Sequence, residues 1–380
     1  MLARAPAAAP LLERWLGLRD RLLTSPAFRR WATAFPLTRP IARRRARALF
    51  DLCAGFVYAQ VLLACVRLDL FAILHEGPRT EAALAERLGL TRDAALRLLA
   101  AAVALRLVAR RGERYALGPL GAAMVGNPGI TAMVEHHALL YADLADPVAL
   151  LRGQEPATAL KGYWAYAGRT APAAATDAEV ARYSALMTAS QALIAEEVLA
   201  AYPVRRHRCL LDVGGGEGAF LAAAGGAAPD LRLMLFDLPA VAERARSRLA
   251  AAGLGRRAIV RGGDFLADPL PNGADLVSLV RVLHDHEDAA ALALLRAVRR
   301  ALPAGGVVLI AEPMAATRGA EPIGDAYFGF YLLAMGQGRP RTAEALAWLV
   351  RQAGFAHVRL VRTRTPMLVR VMTARSGDGD

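Results

Sequence analysis

The chain has 380 residues, too many for one compact core, so two domains are expected. Apolar residues make up 55% of it and Gly and Pro are unexceptional, which excludes a disordered chain. Cys53, Cys65 and Cys209 form no close pair, which argues against a disulfide framework or a thiolate metal site, and the net charge of +13 is concentrated at the start.

Residues 1–50 hold eleven Arg against Glu13 and Asp20. Trp15, Leu16, Leu22, Leu23, Phe28, Trp31 and Phe35 interleave there with Arg14, Arg19, Arg21, Arg29 and Arg30, and Arg43-Arg44-Arg45-Ala46-Arg47 follow. This basic amphipathic arm suits an anionic membrane surface; it equally suits packing on a dimer partner or a solvated arm. No charged n-region, apolar h-region and cleavage site follow in order, so no secretory signal is expected. The most apolar stretch, Leu52 to Val66, falls short of the roughly 20 residues that span a bilayer. The expected location is cytoplasmic, with peripheral contact at an inner membrane.

From 51 to about 150 the pattern is helical. Leu84, Leu88, Leu90, Ala95, Leu98, Leu99 and Val103 read as two short helices across Gly89, with Thr91 as N-cap of the second. A turn at Arg111-Gly112-Glu113 between Leu107-Val108 and Tyr115-Ala116-Leu117 reads as a small β-wing, completing a winged-helix outline. The candidate recognition helix, Thr91 to Ala104, offers only Arg92 and Arg97 as basic groups, so no nucleic-acid partner is expected. Residues 153–176 read as a loop carrying Tyr163-Trp164-Ala165-Tyr166, a pocket lid or a surface cluster. A helix over about 177–201 follows.

From Cys209 the rhythm becomes strand–helix–strand. Strands are expected at 209–214, 231–237, 257–261, 274–281 and 306–312, with helices near 217–227, 239–252, 288–302 and 342–353. Strands near 357–363 and 367–373 close the sheet, and residues 375–380 read as a frayed tail. The fold class is therefore α/β, a mostly parallel Rossmann-like sheet over 177–374 preceded by a helical domain over 51–176.

The strongest motif is Leu210-Leu211-Asp212-Val213-Gly214-Gly215-Gly216-Glu217-Gly218, at a strand end and opening a helix. Glycines there allow a sharp turn and close approach of a ligand. Gly214, Gly216 and Ala219 also fit the dinucleotide pattern, so NAD competes. Asp212 before the glycines, Asp237 at the next strand end for ribose hydroxyls, and Gly263-Asp264-Phe265 for adenine favour S-adenosylmethionine. The next motif is Arg281-Val282-Leu283-His284-Asp285-His286-Glu287-Asp288. His284, at a strand's carboxyl end, is the candidate general base, with Glu312 expected to orient its imidazole and Arg281 grouped with the cofactor residues. Asp288 reads as an N-cap and His286 as a solvent-facing loop residue. His284 and His286 lack a third ligand, so no metal is expected.

In order, Ala85-Glu86-Arg87-Leu88-Gly89-Leu90, the loop Asp212 to Gly218, Phe236-Asp237-Leu238-Pro239, Gly263-Asp264-Phe265, Leu283-His284-Asp285 and Arg341-Thr342 resemble the plant-type O-methyltransferases and their bacterial relatives. The resemblance implies a homodimer through the first domain, S-adenosylmethionine as methyl donor, and His284 as the base that removes a hydroxyl proton, flanked by Glu312. Pro340 stands where plant members place a second glutamate, and His286 where Trp is usual.

The segment Phe35-Pro36-Leu37-Thr38-Arg39-Pro40 through Ala54-Gly55-Phe56-Val57-Tyr58 is similar to carotenoid O-methyltransferases of purple photosynthetic bacteria. Those act on the tertiary 1-hydroxyl of demethylspheroidene or hydroxyneurosporene. The resemblance thus implies an apolar hydroxylated acceptor, with a bacteriochlorophyllide or an aromatic hydroxyl as alternatives and a non-catalytic scaffold or winged-helix DNA-binding regulator outside enzymes. Met187, Phe328, Phe330, Tyr331 and Met335 are candidates for the pocket wall.

Overall fold

The computed structural model describes residues 10–154, 157–163 and 190–377. The chain divides into two compact units, Met1–Ala122 and Ala123–Asp380.

The first unit opens with helices Pro10–Thr24, Pro26–Ala34 and Arg39–Arg67. Ser25 caps the second by accepting from the Phe28 amide, and Pro26 at its first turn costs no hydrogen bond. The third runs 29 residues, so the expected boundary at residue 50 falls in mid-helix. By length and composition this helix could cross a membrane, which the fifteen-residue reading of Leu52–Val66 did not foresee. Only its end is covered within this unit, at Leu63, Cys65 and Val66; Leu49, Phe50, Leu52 and Phe56 are exposed.

Helices Glu81–Arg87 and Arg92–Ala104 follow, the second capped by Thr91, which accepts from the Ala94 amide. Strands β1 (Arg79–Thr80), β2 (Val108–Arg111) and β3 (Arg114–Leu117) form an antiparallel sheet in the order β1-β3-β2. Gly112 supplies the left-handed turn between β2 and β3 at φ +59°. The winged-helix outline is borne out.

The second unit begins well before the expected boundary at 176, itself outside the described residues. Helix Pro128–Asp143 belongs to it because Leu140, with Leu150 and Leu160, packs on Tyr331, Leu332 and Met335. Two hydrogen bonds add to this, His136 Nε2 with the Tyr331 hydroxyl (2.7 Å) and His137 Nε2 with the Tyr327 hydroxyl (2.8 Å). The expected loop at 153–176 contains a short helix, Ala159–Tyr163, and the Tyr163 ring lies 4.7 Å from that of His136. Trp164 and Tyr166 lie outside the described residues, as does all of the expected 177–201 helix except 190–201.

Seven strands form the main sheet: β4 (Cys209–Val213), β5 (Arg232–Asp237), β6 (Ala258–Gly262), β7 (Leu276–Val280), β8 (Val307–Glu312), β9 (Phe355–Val361) and β10 (Arg370–Ser376). Their order is β6-β5-β4-β7-β8-β10-β9, parallel except for β10, which pairs antiparallel with β8 and β9. β4, β7 and β8 are buried along their whole length, as continuous apolar runs covered on both faces should be. One face packs Leu211, Val213, Val277 and Leu279 against helices Asp288–Ala301 and Ala343–Gln352. The other packs Leu210, Leu276 and Leu309 against Ala219–Ala227 and residues 190–201.

The α/β expectation holds, with two corrections at the end of the chain. β9 and β10 lie two to three residues from the expected spans, and Arg375 and Ser376 are strand rather than tail. Ser376 is held there because its amide donates to Gly306 O (2.8 Å) and its carbonyl accepts from Gly305 N (3.1 Å).

Candidate active site

The carboxyl ends of β4, β5, β7 and β8 bring the two motifs together, at the edge where open α/β sheets bind ligands. After β4 the backbone turns through Gly214, Gly216 and Gly218 at φ +67°, +60° and +78°, a left-handed path open to glycine. Space is limiting as well. A Cβ on Gly214 would stand 2.8 Å from a methyl of Val282, and one on Gly215 would stand 2.4 Å from Asp212 Oδ2.

Asp212 is fully buried. Its Oδ1 accepts from the Ser278 hydroxyl at 2.6 Å, while Oδ2 has no hydrogen-bond partner among the described residues. Burial raises its pKa to about 7, against the lowering effect of Ser278, and the charge of Asp237 adds to the rise. Asp237 closes β5 and shapes the loop: Oδ2 accepts from Gly216 N and Oδ1 from Leu238 N, both at 2.7 Å. Burial raises its pKa to about 6 despite those two bonds. A buried acceptor without a partner, beside a loop kept free of side chains, fits a ligand bearing ammonium and hydroxyl donors.

Asp264 ties its own turn, accepting from Leu266 N (2.9 Å) and donating its amide to Asp268 Oδ2 (2.8 Å). Phe265 meets the His286 ring edge-on at 5.4 Å. His286 is therefore partly buried against Phe265 rather than a solvent-facing loop residue. Arg281 holds a left-handed backbone, φ +58°, unusual for a residue with a side chain, and its guanidinium donates to Ser190 Oγ (2.9 Å).

His284 lies in the short turn Leu283–Asp285 and is buried. Its Nε2 lies 3.0 Å from Asp285 Oδ1, and its Nδ1 has no partner among the described residues. Burial disfavours the imidazolium, but the adjoining Asp285 carboxylate, with Glu312 behind it, outweighs burial and the opposing Arg281, so the pKa is raised. Glu312 does not orient the imidazole as expected. Its Oε1, at the carboxyl end of β8, accepts from the His284 main-chain amide at 3.1 Å. Asp285 is the carboxylate the sequence reading overlooked, although it stood next to His284 in the motif.

Arg341 was also overlooked as a site residue. It is 4% exposed and donates to Leu283 O (2.7 Å), His286 O (2.6 Å) and Asp288 Oδ1 (2.9 Å), so it staples the turn that carries His284. Asp288 is thereby an ion-pair partner and not the expected cap; Glu287 occupies the cap position of the following helix.

Of the pocket candidates, Phe328 is brought within 6.0 Å of the His284 ring and Tyr331 stands behind it at 6.5 Å. Phe330 is half-buried on the same helix. Met335 is fully buried in the cluster against Leu140 and Leu160, so it packs as core. Met187 lies outside the described residues. The Tyr327–His137 pair, which no local sequence signal marks, adds a polar group beside Phe328, 5.0 Å away. No group of side chains among the described residues could hold a metal ion.

Comparison with known proteins agrees with this arrangement. Residues 141–356 match the family model of an O-methyltransferase domain, and residues 50–127 that of an O-methyltransferase dimerisation domain, which supports a homodimer. A demethylspheroidene O-methyltransferase of Cereibacter sphaeroides is 46% identical, with 98% of this chain and 97% of the relative covered. The mouse acetylserotonin O-methyltransferase is 34% identical over 87% of this chain and 89% of its own. Among solved structures, human N-acetylserotonin methyltransferase in complex with SAM superposes with a TM-score of 0.72 at 25% identity, covering 88% of this chain and 98% of that one. The chain belongs to the family of S-adenosylmethionine-dependent O-methyltransferases.

Proposed function

We propose that this enzyme methylates the tertiary 1-hydroxyl of a carotenoid of the demethylspheroidene or hydroxyneurosporene type, working at the cytoplasmic face of a membrane. The observation that carries this reading is full-length similarity to the Cereibacter enzyme: the match includes nearly all of this chain, whereas the acetylserotonin relative covers 87% and both family models begin at or after residue 50. Residues 1–49, which precede both family models, are basic and aromatic, which suits an enzyme whose acceptor is dissolved in a bilayer.

Asp212, Asp237 and the loop Gly214–Gly218 would hold the donor, with Asp264, Phe265 and Arg281 around it. When bound, S-adenosylmethionine supplies an electrophilic methyl group on a sulfonium. His284 takes the hydroxyl proton on Nδ1, and Asp285 and Glu312 stabilise the imidazolium that results. A tertiary alcohol is a far weaker acid than imidazolium, so the proton leaves as the new C–O bond forms and not before. Phe328 and Tyr327 line the acceptor side. The test is methyl transfer from labelled donor to detergent-dispersed 1-hydroxy carotenoid, beside a bacteriochlorophyllide and a simple phenol. Label in the carotenoid as a methyl ether is expected; label only in the other acceptors would overturn the substrate and leave the enzyme class.

Two further outcomes are expected. The raised pKa values of Asp212 and Asp237 mean that their contribution to stability without ligand is complete below about pH 4 and is lost as pH rises through 6 to 7. A cationic ligand favours the ionised carboxylates, so donor binding near pH 6 releases protons; calorimetry in two buffers of different ionisation heat measures this, and Asp212→Asn should remove much of it. No proton release would mean that the carboxylates do not face the donor. In the amino-terminal region, replacing Arg43, Arg44, Arg45 and Arg47 by Gln should weaken co-flotation with anionic vesicles by at least about tenfold, since each basic group near such a surface contributes about 1 kcal/mol. Unchanged flotation would remove the membrane role.

A further inference from the structure

At the amino-terminal edge of the main sheet, opposite the edge that carries the glycine loop and His284, lies a cleft of about 780 Å³. The turn before β4, the starts of β7 and β8, and strands β9 and β10 line it. Four arginines, Arg206, Arg208, Arg359 and Arg375, line it beside one acidic residue, Asp275.

That carboxylate is already committed. Asp275 accepts from the amides of Arg208 and Cys209 (3.0 and 2.7 Å) and from His207 Nδ1 (3.2 Å), anchoring the start of β4. None of the four guanidiniums has a hydrogen bond or ion pair among the described residues, whereas Arg92, Arg244 and Arg341 each reach a carboxylate. Tyr202 and His207, which hydrogen-bond each other at 2.8 Å, line the same cleft as Arg206 and Arg375.

The strand pair that lines the cleft is irregular. The β9–β10 register shifts between Thr373 and Arg375, with His357 and Val358 of β9 opposite Ala374 alone, and His357 in this bulge adopts φ +52°, a left-handed conformation costly for a residue with a side chain. Thr373, opposite Arg359, and Arg375 all line the cleft. The four cations are exposed and have no protein anion of their own among the described residues, and an oxyanion with several acceptor oxygens could pair bidentately with the guanidiniums.

We propose that this cleft binds a phosphate-bearing anion, at a site separate from that of the methyl donor and independent of the acceptor's identity. The test is calorimetric titration of the full-length protein with pyrophosphate and with inorganic phosphate, against chloride at matched ionic strength. Saturable binding is expected, weakened at least about tenfold in Arg208→Gln/Arg375→Gln, with S-adenosylmethionine affinity and melting temperature unchanged. Should that variant fold poorly, Arg206→Gln/Arg359→Gln, both exposed, is expected to give the same loss. Non-saturable heats, or equal binding by wild type and a folded variant, would overturn the proposal. Flotation with phosphatidylglycerol vesicles separates the sources: a loss in the same variants identifies a lipid headgroup, and unchanged flotation with lost pyrophosphate binding identifies a soluble phosphate.

Discussion

His284→Ala is expected to lower turnover by about 10²- to 10⁴-fold, the usual contribution of a positioned general base, while S-adenosylmethionine binds as before. The donor-side groups, Asp212, Asp237 and the glycine loop, make none of their hydrogen bonds to this side chain. The loss should therefore fall on kcat and leave donor affinity alone. A tertiary alcohol places the effect at the lower end of that range, because its proton moves only in concert with methyl transfer; a phenol would place it higher. The pH profile supplies a second readout. His284 has a raised pKa, so below it the imidazole is already protonated and cannot accept, and the rate climbs with pH through an apparent value above 6.5. Asp285→Asn removes the nearest carboxylate, so the rising limb should shift to lower pH while the maximal rate falls. A His284→Ala enzyme at full rate, or a limb unmoved by Asp285→Asn, would remove this residue as the base.

The sequence was most legible where chemistry and backbone demand coincide. The run Leu210 to Gly218 announces both a buried strand and a left-handed turn, and the structure puts Gly214, Gly216 and Gly218 at positive φ after β4. Ser278 could have been read too: it is a lone polar residue in the apolar run Leu276–Val280, and it is buried because it hydrogen-bonds Asp212. Arg341 could not be placed by local reasoning. It lies 53 positions from Asp288, and its three acceptors become neighbours only when β8 and its following segment fold back on the His284 turn. Glu312 shows the complementary limit. Its strand-end position was legible, but whether its oxygen would meet a ring or a main-chain amide is set by how the turn after β7 packs on the end of β8, which lies 28 positions away in sequence. The domain boundary failed for a similar reason. Helix Pro128–Asp143 looks like a continuation of the helical first half, and only the distant pairs His136–Tyr331 and His137–Tyr327 assign it to the second unit.

Arg341→Ala is expected to be the most damaging change that touches no reacting atom. Removing the guanidinium leaves Leu283 O and His286 O without their short bonds and Asp288 without its buried partner. Asp288 is part-exposed and keeps Arg339, so the loss falls on the two carbonyls, each left unsatisfied at a cost of about 1–3 kcal/mol. The consequence reaches the chemistry because both carbonyls flank His284. A base held less firmly should lower kcat by about 10²-fold, with KM for the donor little changed. Arg341→Lys distinguishes positioning from simple loss of folding: one ammonium reaches one or two of the three acceptors, so stability should recover further than kcat. Gly338→Ala approaches the same turn from the other side. Gly338 sits at φ +78°, and an added Cβ would stand 2.3 Å from His284 O and 2.6 Å from the Asp285 carbonyl carbon, contacts that backbone atoms can relieve only by moving the turn. The Arg339 amide, which donates to His284 O at 2.9 Å, would be displaced with it. Both variants should thus lose kcat with donor binding retained, measured by single-turnover methyl transfer beside calorimetric donor binding. A Gly338→Ala enzyme with unchanged single-turnover rate would show that the turn tolerates displacement, and the grip of residues 338–341 would then serve stability alone.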